Sequence, residues 1–265
     1  MPKHWGVEAV APQPAPEGIV ITGASSGIGA ALARLYARPG ARLALTGRDA
    51  ARLSEVAAAC RARGATVEEH TVDVTDAEAM KALINAFATT GRLDLVIANA
   101  GVSGGFRNWD EFGTYVRRVT DINIGGVLNT VNPAIPIMAR QRSGQIAIVS
   151  SIAGFLALPG AVPYSATKQF ARAYAEELRG RLAPEGIRVS AICPGFVVSR
   201  MTARNKFPMP FLMETDRAAE IIIRGLAANR GRIAFPWPML AMVRLLGLLP
   251  YPLLDRLLRR APMKD

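Results

Sequence analysis

The feature that most constrains the fold is an alternation of short apolar segments with longer segments of helical pattern. The strand candidates are residues 19–22, 42–46, 67–72, 95–98, 145–150, 188–193 and 232–235. Several are apolar on both faces, as expected for parallel strands that helices cover on either side. The intervening segments are rich in alanine and leucine and are long enough for helices. The alternation predicts an α/β fold, a doubly wound parallel sheet of about seven strands with helices on both faces.

The chain length of 265 residues fits one large α/β domain. Half of the residues are hydrophobic and only 20% are charged, which favours a globular fold over disorder. We expect the domain to cover residues 18–265, with residues 236–265 as an apolar and basic C-terminal extension. Residues 1–17 are rich in proline and lack the continuous apolar stretch of a secretory signal, so we expect a flexible arm there.

The cysteines and histidines are too few for a disulfide framework or a metal site. Cys60 and Cys193 are the two cysteines, which favours a reducing cytoplasm. The two histidines, His4 and His70, lie far apart in sequence and show no ligand spacing, so we expect no metal.

A glycine-rich turn lies between the first strand candidate and the first helical segment. It reads Thr-Gly-Ala-Ser-Ser-Gly-Ile-Gly over residues 22–29. Gly23 permits the tight turn, and the missing side chains of Gly27 and Gly29 let the backbone approach a pyrophosphate. The N-terminus of the following helix would add N–H donors and a positive dipole end, and the two serines could add hydroxyl donors. A plain turn is the alternative, but the position between strand and helix favours a dinucleotide site.

The end of the second strand candidate bears on which nicotinamide cofactor is used. An acidic residue there would bind the ribose diol of NAD. This chain has Gly47 and Arg48 instead, so a repulsive carboxylate is missing and a guanidinium is available for a 2′-phosphate. We therefore predict that NADP(H) is preferred and that NAD(H) is a possible second cofactor. A solvated surface arginine beside Asp49 is the alternative.

Tyr164 and Lys168 are spaced i, i+4 at the start of a predicted helix and so share one face. A free tyrosine has a pKa of about 10. A neighbouring ammonium would stabilise the phenolate and lower the pKa of Tyr164 toward working pH, where general acid–base catalysis is effective. Such pairs are also ordinary helix neighbours, so the spacing gains meaning only from its context.

Two further polar positions supply that context. Ser150 and Ser151 end a strong strand candidate shortly before Tyr164. A serine there can donate to a substrate carbonyl oxygen and stabilise its developing negative charge, and we assign this role to Ser151. Asn123 falls within a predicted helix, although asparagine is a poor helix former. Either a functional hydrogen bond or a local helix distortion would explain it.

In their order and spacing, these motifs make residues 18–202 resemble the short-chain dehydrogenase/reductase family in its single-domain, non-extended form. That family has a Rossmann-type sheet. The resemblance is carried by the glycine-rich turn, Asp73 and Val74, Asn99-Ala-Gly101, Asn123, Ser151, Tyr164 with Lys168, and Pro194-Gly-Phe-Val-Val-Ser199.

The resemblance implies an NAD(P)-dependent oxidoreductase. Tyr164 would be the general acid in reduction and the base in oxidation. Lys168 would lower the pKa of Tyr164 and bind the nicotinamide ribose. Ser151 would polarise the substrate carbonyl, and Asn123 would hold a water in a proton relay with Lys168.

The resemblance also implies cofactor contacts. Asp73 would contact the adenine, Asn99 would flank the cofactor, and the segment after Pro194 and Gly195 would cover the nicotinamide. Ser199 stands where the family usually has threonine, and its hydroxyl could bind the carboxamide. The expected cofactor-binding residues are Thr22, Gly23, Ser25, Ser26, Gly27, Ile28, Gly29, Arg48, Asp73, Val74, Asn99, Ala100, Gly101, Tyr164, Lys168, Pro194, Gly195, Val197 and Ser199. Because NADP-using members often have a basic residue at the position of Ser26, the NADP(H) prediction depends largely on Arg48.

The segment after Ser199, residues 200–215, would form the substrate lid. Its apolar residues are Phe207, Met209, Phe211, Leu212 and Met213, and a second apolar group between Ser151 and Tyr164 comprises Phe155, Leu156, Leu158 and Val162. Apolar side chains around a site favour an apolar ligand, although ordinary core packing explains such stretches equally well. We predict a small hydrophobic ketone or secondary alcohol as the substrate.

Residues 235–250 are almost wholly apolar. A membrane-spanning helix needs about 20 apolar residues, whereas Arg244 interrupts this run and Pro250 and Pro252 break it. Two interpretations stay open. The segment is either an interfacial, cation-flanked hairpin in one leaflet, or a subunit interface or lid helix that covers the core.

The formal net charge of +11 is concentrated near the C-terminus, where residues 224–265 contain eight basic and two acidic residues. This asymmetry predicts an anionic partner, either an anionic membrane surface or an acidic carrier protein. Nucleic acid is not expected, because the segment is leucine-rich and has no recognised nucleic-acid motif. The expected location is the cytoplasm, with peripheral membrane association as an option.

The leading functional hypothesis is an NADP(H)-dependent oxidoreductase for an apolar carbonyl or alcohol. One alternative is a reductase of carrier-bound 3-oxoacyl groups. Another is a non-catalytic protein that uses the fold for cofactor sensing or membrane association, since a fold does not determine a function. The resemblance and the prevalence of symmetric assemblies both favour a homodimer or homotetramer.

Overall fold

The computed structural model describes residues 15–106, 108–205 and 207–258. Seven parallel strands form one sheet in the order β3-β2-β1-β4-β5-β6-β7. The strands are β1 (Gly18–Ile21), β2 (Arg42–Gly47), β3 (Thr66–Thr71), β4 (Leu95–Ala98), β5 (Gly144–Val149), β6 (Ile187–Pro194) and β7 (Arg232–Phe235). The predicted doubly wound parallel sheet is confirmed, and each predicted strand boundary lies within one residue of the observed one.

Helices connect the strands. They are α1 (Gly27–Tyr36), α2 (Ala50–Arg61), α3 (Ala77–Thr89), α4 (Trp109–Thr120), α5 (Gly126–Val131), α6 (Ala134–Gln141), α7 (Tyr164–Leu182), α8 (Thr215–Ala227), α9 (Trp237–Leu246) and α10 (Tyr251–Leu258). A π-helical turn, Asp121–Gly125, joins α4 to α5.

The inner strands β1, β4 and β5 are apolar on both faces because helices cover both faces. Ile19 packs in a core with α1, α2 and α8, whereas its neighbour Val20 packs in a second core with α3, α5, α6 and α7. Successive strand side chains point to opposite faces, so each of these inner strands contributes to both cores. This arrangement explains why continuous apolar runs, rather than alternating ones, marked the strands in the sequence.

The strand order reverses at β1, which lies between β2 and β4. In such sheets, ligands bind at the carboxyl edge beside this switch point. The segments that follow β1, β4, β5 and β6 therefore meet at one edge, although they are far apart in sequence.

The C-terminal helices cover a small core beside that edge. On α9, Met239 and Val243 are buried one helical turn apart, against Ile152 and Leu156 from the segment after β5. Leu254 of α10 is partly buried in the same cluster. The opposite side of the pair exposes large apolar side chains, namely Trp237, Met242, Leu245, Leu248, Tyr251, Leu253 and Leu257. None of the helices in the described ranges is long and apolar enough to cross a membrane.

The predicted N-terminal arm lies mostly outside the described residues. The described end of the arm contacts the body of the protein: Arg38 donates to the carbonyls of Ala15 and Pro16. The backbone N–H of Glu17 donates to the Asp94 carboxylate at 3.0 Å. The last seven residues of the chain, 259–265, also lie outside the described ranges.

Candidate active site

The glycine-rich turn after β1 requires glycine for two different reasons. Gly23 and Gly27 have φ values of +67° and +55°, in the left-handed region that other residues rarely adopt. Gly29 has an ordinary φ, but a Cβ there would lie 2.5 Å from the carbonyl oxygen of Gly23. The first turn of α1 is thereby held close against the end of β1. The helix N-terminus and its N–H groups face the carboxyl edge of the sheet, as a phosphate site needs.

Residues after β4 brace this turn from the neighbouring strand. The Thr22 hydroxyl accepts from the backbone N–H groups of Asn99 (3.1 Å) and Ala100 (3.2 Å). The Asn99 amide donates in return to the carbonyls of Thr22 (2.9 Å) and Gly23 (3.1 Å). The side chain of Asn99 is thus committed to the turn, and its predicted place beside the cofactor stays a prediction.

The serines of the turn take different positions. Ser26 is the extended N-cap residue of α1, and its hydroxyl makes no capping hydrogen bond. Ser25 lies beside the end of β2, where a Cβ on Gly47 would come within 3.1 Å of it. The glycine at position 47 therefore gives Ser25 room, in addition to removing a carboxylate.

The structure brings Arg48 and Asp73 together at the ends of β2 and β3. The Arg48 guanidinium lies 3.7 Å from the Asp73 carboxylate, and both side chains are exposed. Burial raises the pKa of Asp73, but hydrogen bonds from Thr75 and the charge of Arg48 outweigh it, so the net pKa is lowered. Val74 packs closely against Gly126 at the start of α5. The three residues predicted to bind the adenosine half, Arg48, Asp73 and Val74, therefore share one edge of the sheet.

Sequence reasoning missed two basic residues of this region. Arg117 and Arg118 of α4 line a cleft of about 560 Å³ together with Arg48 and Asp73. They were missed because α4 is distant in sequence from β2 and β3, and only the tertiary fold brings its last turn beside Arg48 and Asp73.

Four polar side chains predicted to be catalytic converge beside the end of β5. Asn123 is fully buried, Lys168 and Ser151 are buried, and Tyr164 is partly buried. Tyr164 opens α7, which confirms the predicted helix start, and its hydroxyl is hydrogen-bonded with Ser151. The Ser151 hydroxyl also donates to the carbonyl of Pro194 at 3.3 Å.

The structure distinguishes the two serines after β5. Ser150 donates to the backbone carbonyl of Lys168 at 2.6 Å and so ties the strand to α7. Ser151 instead meets the phenol of Tyr164. This difference supports Ser151 as the serine that would contact a substrate.

Lys168 and Asn123 approach the segment after β4 from two helices. The Lys168 ammonium donates to the Val149 carbonyl at 2.9 Å. A Cβ on Gly101 would lie 3.2 Å from the Asn123 amide oxygen and 3.3 Å from the Lys168 nitrogen. Only glycine leaves room at this position for both polar groups.

Asn123 lies in the π-helical turn between α4 and α5, so the helix is distorted there and the side chain is also hydrogen-bonded. Its amide oxygen accepts from the N–H of Val102 at 2.8 Å. Its amide nitrogen donates to the carbonyl of Val102 at 2.9 Å and to the hydroxyl of Thr167 at 3.0 Å. Thr167, which sequence reasoning missed, thus links Asn123 to the first turn of α7.

The expected lowering of the Tyr164 pKa is wrong for this structure. Burial raises the pKa of Tyr164, and the hydrogen bond with Ser151 lowers it only in part. Burial also lowers the pKa of Lys168 to about 8, while Cys193 opposes that shift. The Lys168 nitrogen lies 5.8 Å from the centre of the Tyr164 ring and bonds to Val149. Sharing a helix face therefore does not by itself bring the ammonium to the phenol oxygen.

The remaining predicted cofactor residues follow β6. Pro194 ends the strand, and the Gly195 N–H donates to the Phe235 carbonyl at 2.7 Å. Ser199 lies beside the glycine-rich turn, 3.4 Å from the position of a Cβ on Gly27. Ile28 and Val197 instead pack with the core between the sheet and α1, so any cofactor contact of theirs would come from the backbone.

The predicted lid contains both packed and exposed apolar residues. The Phe207 ring lies 6.0 Å from that of Phe196, and Met213 forms backbone hydrogen bonds to Phe196 and Val198. Phe211 and Leu212 are exposed. The apolar segment after Ser151 is also divided, because Leu156 is buried under α9 whereas Val162 is exposed.

Comparisons with known proteins agree with this geometry. The sequence model of the short chain dehydrogenase family matches residues 17–208. An uncharacterized oxidoreductase of Myxococcus xanthus is 42% identical over 247 residues, which cover 91% of this chain and 96% of the relative. An uncharacterized oxidoreductase of Mycobacterium tuberculosis is 32% identical with the same coverage of both chains.

Solved structures with the same fold include two that contain nicotinamide cofactors. A short-chain dehydrogenase from Sphingobium yanoikuyae in complex with NADPH has a TM-score of 0.77 and 28% identity, covering 89% of this chain and 97% of that one. A Mycobacterium paratuberculosis short chain dehydrogenase bound to NAD has a TM-score of 0.72 and 26% identity, with coverages of 83% and 96%. A 3-ketoacyl-ACP reductase from Sinorhizobium meliloti has a TM-score of 0.74 and 27% identity, with coverages of 84% and 99%.

Proposed function

The chain belongs to the short-chain dehydrogenase family, and on that premise we propose that it transfers hydride between NADP(H) and a hydrophobic ketone or secondary alcohol. The observation that carries the proposal is the hydrogen bond between the hydroxyls of Tyr164 and Ser151, at the sheet edge where the glycine-rich turn opens. A proton donor and a carbonyl-binding hydroxyl therefore lie together beside a dinucleotide cradle.

The residues present fit a dinucleotide. The first turn of α1 approaches β1 so closely that a Cβ on Gly29 would overlap the Gly23 carbonyl, and the hydroxyl of Ser26 is not used as a cap. This cradle would hold the pyrophosphate, and Arg48 and Asp73 would hold the adenosine half. When bound, the cofactor supplies or accepts the hydride.

The chain's own residues would manage the proton. In reduction, Tyr164 gives its hydroxyl proton to the carbonyl oxygen, and Ser151 donates a hydrogen bond to the same oxygen as negative charge develops there. In oxidation, the phenolate of Tyr164 takes the alcohol proton. Lys168, whose ammonium lies beside Gly101 at the same sheet edge, would bind the nicotinamide ribose. Asn123 holds the segment at Gly101 and Val102 in place through its amide.

The NADP(H) preference rests on Arg48, with support from Arg117 and Arg118 in the same cleft. A 2′-phosphate is dianionic near neutral pH and would pair with these guanidinium groups. Arg48→Gln should raise the KM for NADPH roughly tenfold and leave the KM for NADH nearly unchanged, because only NADPH carries the phosphate.

A matched control uses Arg63, an exposed arginine just before β3 and thus at the opposite edge of the sheet. Arg63→Gln should leave both KM values unchanged. Wild-type turnover with NADH equal to that with NADPH at the same concentration would contradict the preference.

The proposed substrate class is tested by following NADPH oxidation with three groups of compounds. These are apolar ketones, medium-chain 3-oxoacyl thioesters and small polar carbonyls, with Tyr164→Phe as the inactive control. Turnover of apolar ketones that depends on Tyr164 would support the proposal. Turnover restricted to small polar carbonyls would contradict it.

A second candidate is a reductase of 3-oxoacyl groups on an acidic carrier protein. The solved 3-ketoacyl-ACP reductase with 27% identity favours it, as does the net charge of +11. The discriminating measurement is kcat/KM for a 3-oxoacyl group on an acidic carrier against the same group on a small thiol. A large carrier preference that falls with added salt would favour this candidate. For either function we propose a symmetric homodimer or homotetramer.

A further inference from the structure

The pair α9 and α10 is apolar on two opposite sides. Its inner side buries Met239 and Val243 against the segment after Ser151. Its outer side, which we call the outer C-terminal face, consists of Trp237, Met242, Leu245, Leu248, Tyr251 and Leu253, all exposed. A surface helix in water normally has one apolar and one polar side. The outer C-terminal face therefore needs an apolar environment that the described chain does not supply.

The exposed apolar side chains of the face adjoin one another. Trp237, Leu245 and Leu249 line an open hollow of about 470 Å³, and all of its lining side chains are apolar. Leu248, in the turn between the two helices, is 80% exposed. The face is therefore one continuous apolar surface.

The segment that carries the face is basic. Arg244 and Arg256 are exposed on α9 and α10, and residues 237–265 contain five basic and two acidic residues. Within the described ranges, Arg244 forms no ion pair and its guanidinium lies 5.6 Å from the centre of the Phe155 ring. The guanidiniums of Arg172 and Arg232 lie beside the same ring, but both are ion-paired with Glu176. A second copy of the chain would bring like charges together, whereas an anionic surface would complement them.

Aromatic residues mark the starts of both helices. Trp237 is the first residue of α9 and Tyr251 is the first residue of α10. Tryptophan and tyrosine favour the membrane–water interface, and arginine can keep its charge at the headgroups while its stem covers apolar surface. The ten residues of α9 extend about 15 Å, far less than the thickness of a bilayer. The pair can therefore lie in one leaflet but cannot cross the membrane.

We propose that the outer C-terminal face docks the protein on an anionic lipid bilayer. Its apolar side chains would enter the boundary between headgroups and acyl chains, and its arginines would contact lipid phosphates. Because the inner side of α9 packs on Ile152 and Leu156, docking would also place the Ser151 edge near the lipid. This last consequence rests on the proposed function, whereas docking itself does not.

The test measures flotation of the full chain with vesicles of phosphatidylcholine alone or of phosphatidylcholine mixed with phosphatidylglycerol. The wild type should float with the anionic vesicles and much less with the neutral ones. Leu245→Gln with Leu248→Gln should lower the partition coefficient roughly tenfold or more, because two leucine side chains leave the lipid. Arg244→Gln should lower it roughly fivefold on anionic vesicles only.

Matched controls distinguish docking by the outer C-terminal face from nonspecific adsorption of exposed apolar residues and from catalysis. Trp109, on α4, is 78% exposed and Trp237 is 76% exposed. Trp237→Ser should weaken flotation, and Trp109→Ser should leave it unchanged. Tyr164→Phe should float like the wild type, so a failure of the proposed function does not affect this result.

Three results would overturn the proposal. The first is a wild type that stays in solution with anionic vesicles. The second is flotation of the Leu245→Gln, Leu248→Gln variant equal to that of the wild type. The third is a wild-type oligomer that this variant converts to a monomer without any vesicle binding, which would identify a second copy as the occupant.

Discussion

The catalytic cluster and the outer C-terminal face depart from the usual distribution of side chains in opposite directions. In the cluster, polar groups are inside: Asn123 is 0% exposed and Lys168 is 4% exposed. On the face, large apolar groups such as Leu248 and Tyr251 are outside. Both departures are informative, because buried polar groups and large exposed apolar patches are rarely incidental in a folded protein.

The two regions differ in whether their side chains depend on partners within the chain. Every polar side chain of the cluster has partners within the chain, as Asn123 has with Val102 and Thr167. Buried polar groups need such partners, so the cluster depends on the surrounding fold. The outer C-terminal face has no such dependence, because its side chains are already in solvent. Substitutions in the cluster should therefore affect stability and activity, whereas those on the face should affect only binding.

The largest expected effect is at Tyr164. Tyr164→Phe removes the proton donor, so kcat/KM should fall about 10²–10⁴-fold while cofactor affinity is retained. The control is Tyr174→Phe, ten residues further along α7, where the hydroxyl donates to Asn132. Steady-state kinetics and cofactor titration measure both variants. Full activity of Tyr164→Phe would show that Tyr164 is not the proton donor of the reaction.

The second effect is a pH dependence of stability at Lys168. Burial lowers its native pKa to about 8 from the 10.5 of an unperturbed lysine, so the unfolded chain binds the proton more tightly than the native chain. Between those pH values the unfolded state holds more protons, and the free energy of unfolding should rise with pH by a few kcal/mol. Below pH 8 both states are protonated and this contribution is lost.

Lys168→Met should lack this rise, because methionine does not titrate. Denaturant unfolding of both proteins from pH 7 to pH 11 gives the comparison, and titrations that the two proteins share cancel in the difference. If the free energies of unfolding of the two proteins changed with pH in parallel, the native pKa of Lys168 would not be lowered by burial.

The third effect is at Asn123. Asn123→Ala leaves the backbone groups of Val102 and the hydroxyl of Thr167 without their amide partner, which should cost roughly 2–4 kcal/mol of unfolding free energy. Asn132→Ala, at an exposed position, should cost less than about 1 kcal/mol. Thermal and denaturant unfolding measure both. Equal losses of unfolding free energy in the two variants would mean that the buried position of Asn123 does not make its hydrogen bonds more important for stability.

The smallest expected effect on stability is on the outer C-terminal face. Leu248→Gln changes an exposed side chain in the turn between α9 and α10, so unfolding free energy should stay within about 0.5 kcal/mol of wild type. Its vesicle binding should nevertheless fall. A destabilisation as large as that of Asn123→Ala would show that the face is packed in solution, and the comparison between the two regions would fail.

Much of the site could be predicted because its motifs are local. The glycine-rich turn follows directly from β1, and Tyr164 and Lys168 lie on one helix turn, so neither requires knowledge of distant contacts. Asn123 was singled out because asparagine is unfavourable within a helix, and the π-helical turn there gives the reason.

Other features could not be predicted because they depend on distant residues. Arg117 and Arg118 reach the cleft of Arg48 only through the packing of α4 beside the sheet edge. The pKa direction of Tyr164 depends on burial, which the i, i+4 spacing does not report. The lysine instead bonds to Val149, a residue of a different element.

The sequence by itself determined the sheet, its parallel strands and the dinucleotide turn, because apolar periodicity and the need for glycine are properties of short segments. Only the tertiary structure decided which side of α9 is inner and which is outer. Both sides are apolar in the sequence, so periodicity cannot distinguish them. The choice was made by the small core of Ile152 and Leu156, against which Met239 and Val243 pack.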